Sequence, residues 1–269
     1  MTRRRAGALV VAVLFVAGCS AASSRATAPA ANQRATVEAL DGELSGELTI
    51  FAAASLVGPF GELAATFGAQ NPAVTVKPIV FDGSATLATQ LTEGASADVF
   101  ASADTRTMAE VADAGLLAGQ SSVFASNTLQ IAVQTGNPLD IRSLSDLAQG
   151  GILVVLCAPQ VPCGAASHTL LSLEGVNLTP VSEEQNVKAV LTKVSAGEAD
   201  AGLVYTTDVE AAGGAVDGIA VNGAERALNE YLIGIPTSAA NPAVGKAFVR
   251  WVLSASGQAI LMRFGFGRS

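Results

Sequence analysis

From Leu48 onward the chain alternates two kinds of segment. Short runs of Val, Ile, Leu, Phe and Ala are followed by stretches whose apolar residues return every three or four positions. The first kind has the pattern of strands buried on both faces, the second that of amphipathic helices. Strands are predicted at LTIFAAA, VTVKPIVF, ADVFASA, TLQIAV, ILVVLCA, AGLVYT and YLIGIP. Helices are predicted at FGELAATFGAQ, SATLATQLTEG, TRTMAEVADAGLL, IRSLSDLAQ, AASHTLLSLEG and EEQNVKAVLTKVSAGE, and GKAFVRWVLSASGQAIL closes the chain as helices. This alternation argues for α/β layers with mixed, mostly parallel sheets and helices on both faces. There is no repeat of fixed period and no low-complexity linker. A chain that crosses from one lobe to a second and later returns accounts for the length. The division expected is 47–127 with 232–269 in lobe I and 128–231 in lobe II.

The N-terminus follows different rules. Arg3, Arg4 and Arg5 precede a 13-residue apolar run, AGALVVAVLFVAG, which is short for a membrane span of about 20 residues and reads as a secretion signal over 1–18. VAGC, Val16 to Cys19, resembles the lipobox of bacterial lipoproteins, so Cys19 is the expected lipidation site. Residues 19–46, rich in Ala, Ser and Thr, read as a tether that reaches about 90 Å fully stretched and about 30 Å as a coil.

Composition narrows the function. Fifteen basic residues oppose 23 acidic ones, and removal of Arg3, Arg4 and Arg5 with the signal leaves 12 against 23, a net charge of −11. Such a chain has no electrostatic reason to seek nucleic acid or anionic headgroups. Of three cysteines, Cys157 and Cys163 flank APQVP and either form a disulfide or stay free and buried. A zinc site is excluded by ligand supply, since His168 is the single histidine. Catalytic signatures such as G-x-S-x-G, S-x-x-K, H-E-x-x-H and the phosphate-binding G-x-x-x-x-G-K-[ST] are absent. His168, in helical AASHTLL, reads as structural.

What recurs is a small hydroxyl where a strand hands over to a helix. Ser55 follows FAAA and Ser84 follows IVFDG. A helix start carries unpaired N–H groups and a positive dipole end, and so binds anions without formal charge. Each serine could equally be an ordinary helix cap. Pro59 suits the first helical position, leaving Ser55 to Gly58 as an open turn. Farther on, VPCG enters a helix with N–H groups at Cys163 and Gly164. In SEEQNVKAVL, Ser182 with Gln185 fits a capping box, whereas Asn186 as cap would leave Val187 with a free N–H. Tyr205, one of two tyrosines, ends a strand, where its hydroxyl needs a partner if buried.

Taken together, FAAASL, FDGSATLATQL, GASADVFASAD, VPCG, EEQNVKAVL, GEADAGLVYTTD and the terminal GFG resemble the periplasmic molybdate-binding proteins of ABC importers over nearly all of the chain after Leu48. The resemblance implies a two-lobed, type II-like periplasmic binding protein fold, hinged, with one tetrahedral oxyanion in the interlobe cleft. It implies that Ser55, Ser84, Cys163, Val187 and Tyr205 donate to molybdate or tungstate, with Cys163 and Val187 using main-chain N–H. It suggests that a Cys157–Cys163 disulfide stiffens the VPCG loop. No cofactor is implied; molybdenum enters only as the oxyanion. The expected partners are an ABC permease with its cytoplasmic ATPase, and the expected state is a monomer, lipid-anchored on the extracytoplasmic face of the cell membrane. The small FAAAS end lets an anion approach the backbone, and a cage of donors rejects an oxyanion that must itself donate a proton. The alternatives are a binding protein for sulfate or thiosulfate, a hydrolase using Ser55 or Ser84 with His168, and a surface lipoprotein without a ligand.

Overall fold

The computed structural model describes residues 43–268; the secretion signal, Cys19 and most of the expected tether lie outside them. The described strands are β1 (Gly46–Leu48), β2 (Ile50–Ala53), β3 (Val74–Val76), β4 (Val80–Asp82), β5 (Val99–Ser102), β6 (Ser122–Asn127), β7 (Leu129–Gln134), β8 (Val154–Cys157), β9 (Ser182–Glu184), β10 (Ala201–Tyr205), β11 (Val216–Ala220) and β12 (Asn229–Gly234). The helices are α1 (Val57–Gln70), α2 (Ser84–Thr92), α3 (Thr105–Asp113), α4 (Pro162–Leu173), α5 (Val187–Ser195), α6 (Thr206–Ala211), α7 (Pro242–Leu253) and α8 (Ala255–Arg263). None of these helices is long and apolar enough to cross a membrane.

Two five-stranded sheets form, ordered β4-β2-β5-β12-β6 and β11-β7-β10-β8-β9. Each has two parallel and two antiparallel pairings, a smaller parallel share than strand–helix alternation suggests. The antiparallel pairings come from β6, β7, β11 and β12. The chain passes between the sheets twice, from β6 to β7 through Thr128 and from β11 to β12. Neither crossing contains an α-helix, so no right-handed βαβ unit sets a parallel partner there.

The first sheet is buried on both faces because its strands alternate between two cores. Ile50, Ala52, Val99 and Ala101 pack with Phe60, Phe67 and Phe248 of α1 and α7. Phe51 and Phe100 face the opposite way, against Leu87, Leu91, Met108 and Val111 of α2 and α3. The second sheet has its own core, in which Ile131, Val155 and Leu203 meet Leu170, Val190 and Val194.

Local chemistry explains where elements depart from the pattern. VTVKPIVF is two strands, because Pro78 cannot donate to a ladder. IRSLSDLAQ makes only a 3-10 turn at Asp146–Ala148. The Asp146 carboxylate accepts from the N–H groups of Arg142 and Ser143, from Ser143 Oγ and from Gln149. Those bonds offer the backbone an alternative to helix. Ser45 and Gly46 of the expected tether are already tied down: Gly46 N–H donates to Ala73 O, and Asn241 Nδ2 donates to Ser45 O.

Candidate functional site

The carboxyl ends of the parallel strands converge on one small cavity of about 10 Å³. From the first sheet come Ala53 at the end of β2 with Ala54 and Ser55 after it, Gly83 and Ser84 after β4, and Ala103 after β5. From the second come Val161, Pro162 and Cys163 after β8, Asn186 and Val187 after β9, and Tyr205 ending β10. Open α/β sheets place ligands at such strand ends. The cavity brings together all five residues expected to donate: Ser55, Ser84, Cys163, Val187 and Tyr205. Cys157 sits behind it, bonded to Cys163 in a disulfide. His168 lies elsewhere, exposed on α4 beside Leu171, Ser172 and Gly175.

Neither serine is a helix cap. α1 begins at Val57, not at Pro59, and Ser55 lies in a preceding 3-10 turn at Ala54–Leu56. Its Oγ is 2.9 Å from Tyr231 Oη. Ser84 is the first residue of α2, after Gly83, and its Oγ accepts the Ala103 N–H at 3.0 Å. Each oxygen is thus engaged by a buried group from elsewhere in the first sheet, Tyr231 of β12 or Ala103 just after β5.

Lobe II contributes helix starts. Asn186, not Ser182, caps α5, its Oδ1 accepting the Ala189 N–H at 3.0 Å. Val187 is therefore the first helical residue, with no intrahelical acceptor for its N–H. Pro162 opens α4, so Cys163 also lies in the first turn. This turn packs tightly on the strand behind it: a Cβ on Gly164 would stand 1.9 Å from Ala158 O. The disulfide closes the same loop.

Tyr205 is 1% exposed, and its hydroxyl has no hydrogen-bond partner among the described residues. Burial, with Tyr231, Asp104 and Asp208 adding, pushes its phenol well above the ordinary value, so it remains a donor. Its backbone N–H donates to Asp208 Oδ2 at 3.3 Å. Asp208 is fully buried, and burial raises its pKa although Lys188 Nζ, 2.7 Å from Oδ1, opposes the rise.

The lining contains no charged side chain. Among the described residues there is no group of three or more His, Cys, Asp or Glu able to hold a metal ion. The arrangement presents neutral donors to a small acceptor. It stands in a closed form: a Cβ on Gly83 would lie 2.1 Å from Gln185 O, and Arg106 Nη2 donates to Gln160 O across the lobes. The donors' strand-end positions were legible in the sequence. Tyr231, Asp82, Ala103, Lys188 and Asp208 carried no local signal, being brought to the site by pairing and packing.

Residues 48–267 match the family model described as bacterial extracellular solute-binding protein. The chain is 42% identical over 261 residues to the molybdate-binding protein ModA of Mycobacterium tuberculosis, covering 97% of this chain and 95% of that one. The fold matches the periplasmic molybdate-binding protein of Azotobacter vinelandii with a TM-score of 0.71 at 22% identity, over 82% of this chain and 99% of the other. It also matches the sulfate-binding protein SubI of M. tuberculosis, with a TM-score of 0.72 at 19% identity over 82% and 86% of the two chains.

Proposed function

The chain belongs to the bacterial extracellular solute-binding proteins, and on that premise we propose that it captures molybdate, with tungstate as a near-isosteric second ligand, and delivers it to an ABC importer. The observation that carries this reading is the Tyr205 hydroxyl, a buried donor without an acceptor, opening on a cavity shared with Ser55, Ser84 and two helix starts. A fully deprotonated tetrahedral oxyanion supplies acceptors to all of them. Ser55 and Ser84 would donate from lobe I, and Cys163 N–H, Val187 N–H and the Tyr205 hydroxyl from lobe II. Helix-start dipoles offset the charge in place of a cation.

Donors divided between lobes bind better when the lobes are together, so ligand shifts the balance toward closure. Closure then offers a surface to a permease driven by a cytoplasmic ATPase, and the protein itself hydrolyses nothing. The signal at 1–18, lipidation at Cys19 and a tether up to the first strand would hold a monomer at the extracytoplasmic face of the membrane.

The test is a thermal melt of the chain from Ser20 onward with molybdate, tungstate, sulfate and phosphate in separate samples. A ligand at a thousand times its dissociation constant adds about 4 kcal/mol of stability. A large shift with molybdate and tungstate alone supports the proposal. A shift with sulfate alone overturns the ligand and keeps the site; no shift with any anion overturns both.

A further inference from the structure

The two cavity serines share a feature that the ligand reading does not require. Each has its oxygen engaged by a buried group from elsewhere in the first sheet, Tyr231 of β12 or Ala103 just after β5. Ser84 Oγ accepts from Ala103 N–H, and an N–H can only donate, so the Ser84 proton is left for the cavity. Ser55 Oγ faces Tyr231 Oη at 2.9 Å, where either oxygen could donate.

Burial favours one direction. Tyr231 is fully buried; Ser55 Oγ is the partner at hydrogen-bond geometry for its hydroxyl, with the Asn127 and Tyr205 side chains also near it. If Ser55 donated, the phenol proton would be buried with no acceptor at hydrogen-bond geometry, the neighbouring Tyr205 oxygen not meeting it, which folded chains avoid. If Tyr231 donates, only a lone pair is left over. The ring cannot swing away, being packed edge-on against Phe124, Phe266 and Tyr205 at centroid distances of 6.1, 5.3 and 5.9 Å. Burial also raises the pKa of the phenol, which keeps its proton in place.

We propose that Tyr231, which does not itself line the cavity, is a specificity-determining residue: by donating to Ser55 Oγ it forces the Ser55 proton toward the ligand and denies the site an acceptor for a protonated anion. The proposal rests on the oxyanion reading of the cavity. Without the phenol, Ser55 is free to rotate and accept a proton from the ligand. The site then tolerates anions that carry one.

Selenate and hydrogen arsenate test this, being tetrahedral anions of similar size that differ at neutral pH in the proton. Each competes against molybdate in calorimetric titrations of the wild type, Tyr231→Phe, Ser55→Ala and the double variant. The wild type is expected to prefer selenate, and Tyr231→Phe to keep molybdate binding while narrowing that preference about tenfold. In the Ser55→Ala background there is no hydroxyl to orient, so adding Tyr231→Phe is expected to leave the preference unchanged. An unaltered preference in Tyr231→Phe, or the same narrowing without Ser55, overturns the proposal and leaves the ligand reading standing. A wild type that binds arsenate as well as selenate overturns it without any variant. A wild type that binds no molybdate overturns the ligand reading, and the role of Tyr231 with it.

Discussion

Asn186 Nδ2 donates to Asp82 Oδ1 at 3.0 Å from one lobe to the other, while Asn186 Oδ1 caps α5. Asp82 Oδ1 also accepts the Gly83 N–H at 2.7 Å. One amide therefore joins the helix start that carries Val187 to the loop that carries Ser84. The bond forms only with the lobes together, so it adds to the free-energy difference between closed and open forms.

Asn186→Ala is expected to weaken oxyanion binding by roughly fivefold to tenfold through the cross-lobe bond. It should also lower the melting midpoint of the ligand-free chain, because a helix cap is worth about 1 kcal/mol. Asp82→Asn keeps an acceptor oxygen and should do less. Calorimetry and melts separate the two effects, and wild-type affinity in Asn186→Ala would remove the amide from the account.

Tyr205→Phe should cost affinity and not stability. Its hydroxyl bonds no other protein group among the described residues, so deleting it breaks no bond within the chain and should leave the ligand-free midpoint nearly unchanged. A hydrogen bond to a charged group is worth about 1.5–3 kcal/mol, so affinity should fall by about tenfold to a hundredfold. Undiminished affinity would place the anion away from Tyr205.

Much of this site could be read from sequence because its donors follow strands: Ser55 after β2, Ser84 after β4, Tyr205 at the end of β10. Hydrophobic runs mark strands, and the next residues fall at the sheet edge. The choice between Ser182 and Asn186 as cap stayed open because SEE carries no strand pattern; β9 forms there by pairing with β8. SVFASN and VDGIA, the strands β6 and β11, likewise lack a strong apolar run and are fixed by their neighbours in the sheets. Tyr231 was illegible for a different reason. It is 176 residues from Ser55, and in YLIGIP it looks like any core aromatic.

The Cys157–Cys163 bond closes a short loop, with a sequence separation of 6. Replacing both cysteines with serine should cost about 2 kcal/mol from loop entropy, a midpoint lower by roughly 5 °C. The Cys163 N–H survives the change but loses its fixed position, so affinity should fall several-fold. Unchanged affinity in the double variant would mean that Gly164 packing alone sets this turn.

Asp208 gives a pH signature. Burial raises its pKa in the fold above the ordinary 3.8, so the folded chain holds a proton that the unfolded chain has released. Its contribution to stability is complete below that ordinary value and is lost as pH rises through the raised one. Asp208→Asn should lack this decline. Melts of both proteins from pH 4 to pH 7 check it: the midpoint difference should grow in favour of the variant as pH rises, and a constant difference would refute the assignment.

The central claim is that an oxyanion sits among neutral donors from both lobes. It is tested most directly by a crystal structure of the molybdate-soaked chain with anomalous data at the molybdenum edge. The account predicts one molybdenum peak in the cavity, with oxygens within hydrogen-bond distance of Ser55, Ser84, Cys163 N–H, Val187 N–H and the Tyr205 hydroxyl. A peak elsewhere, or an empty cavity at saturating molybdate, would contradict it.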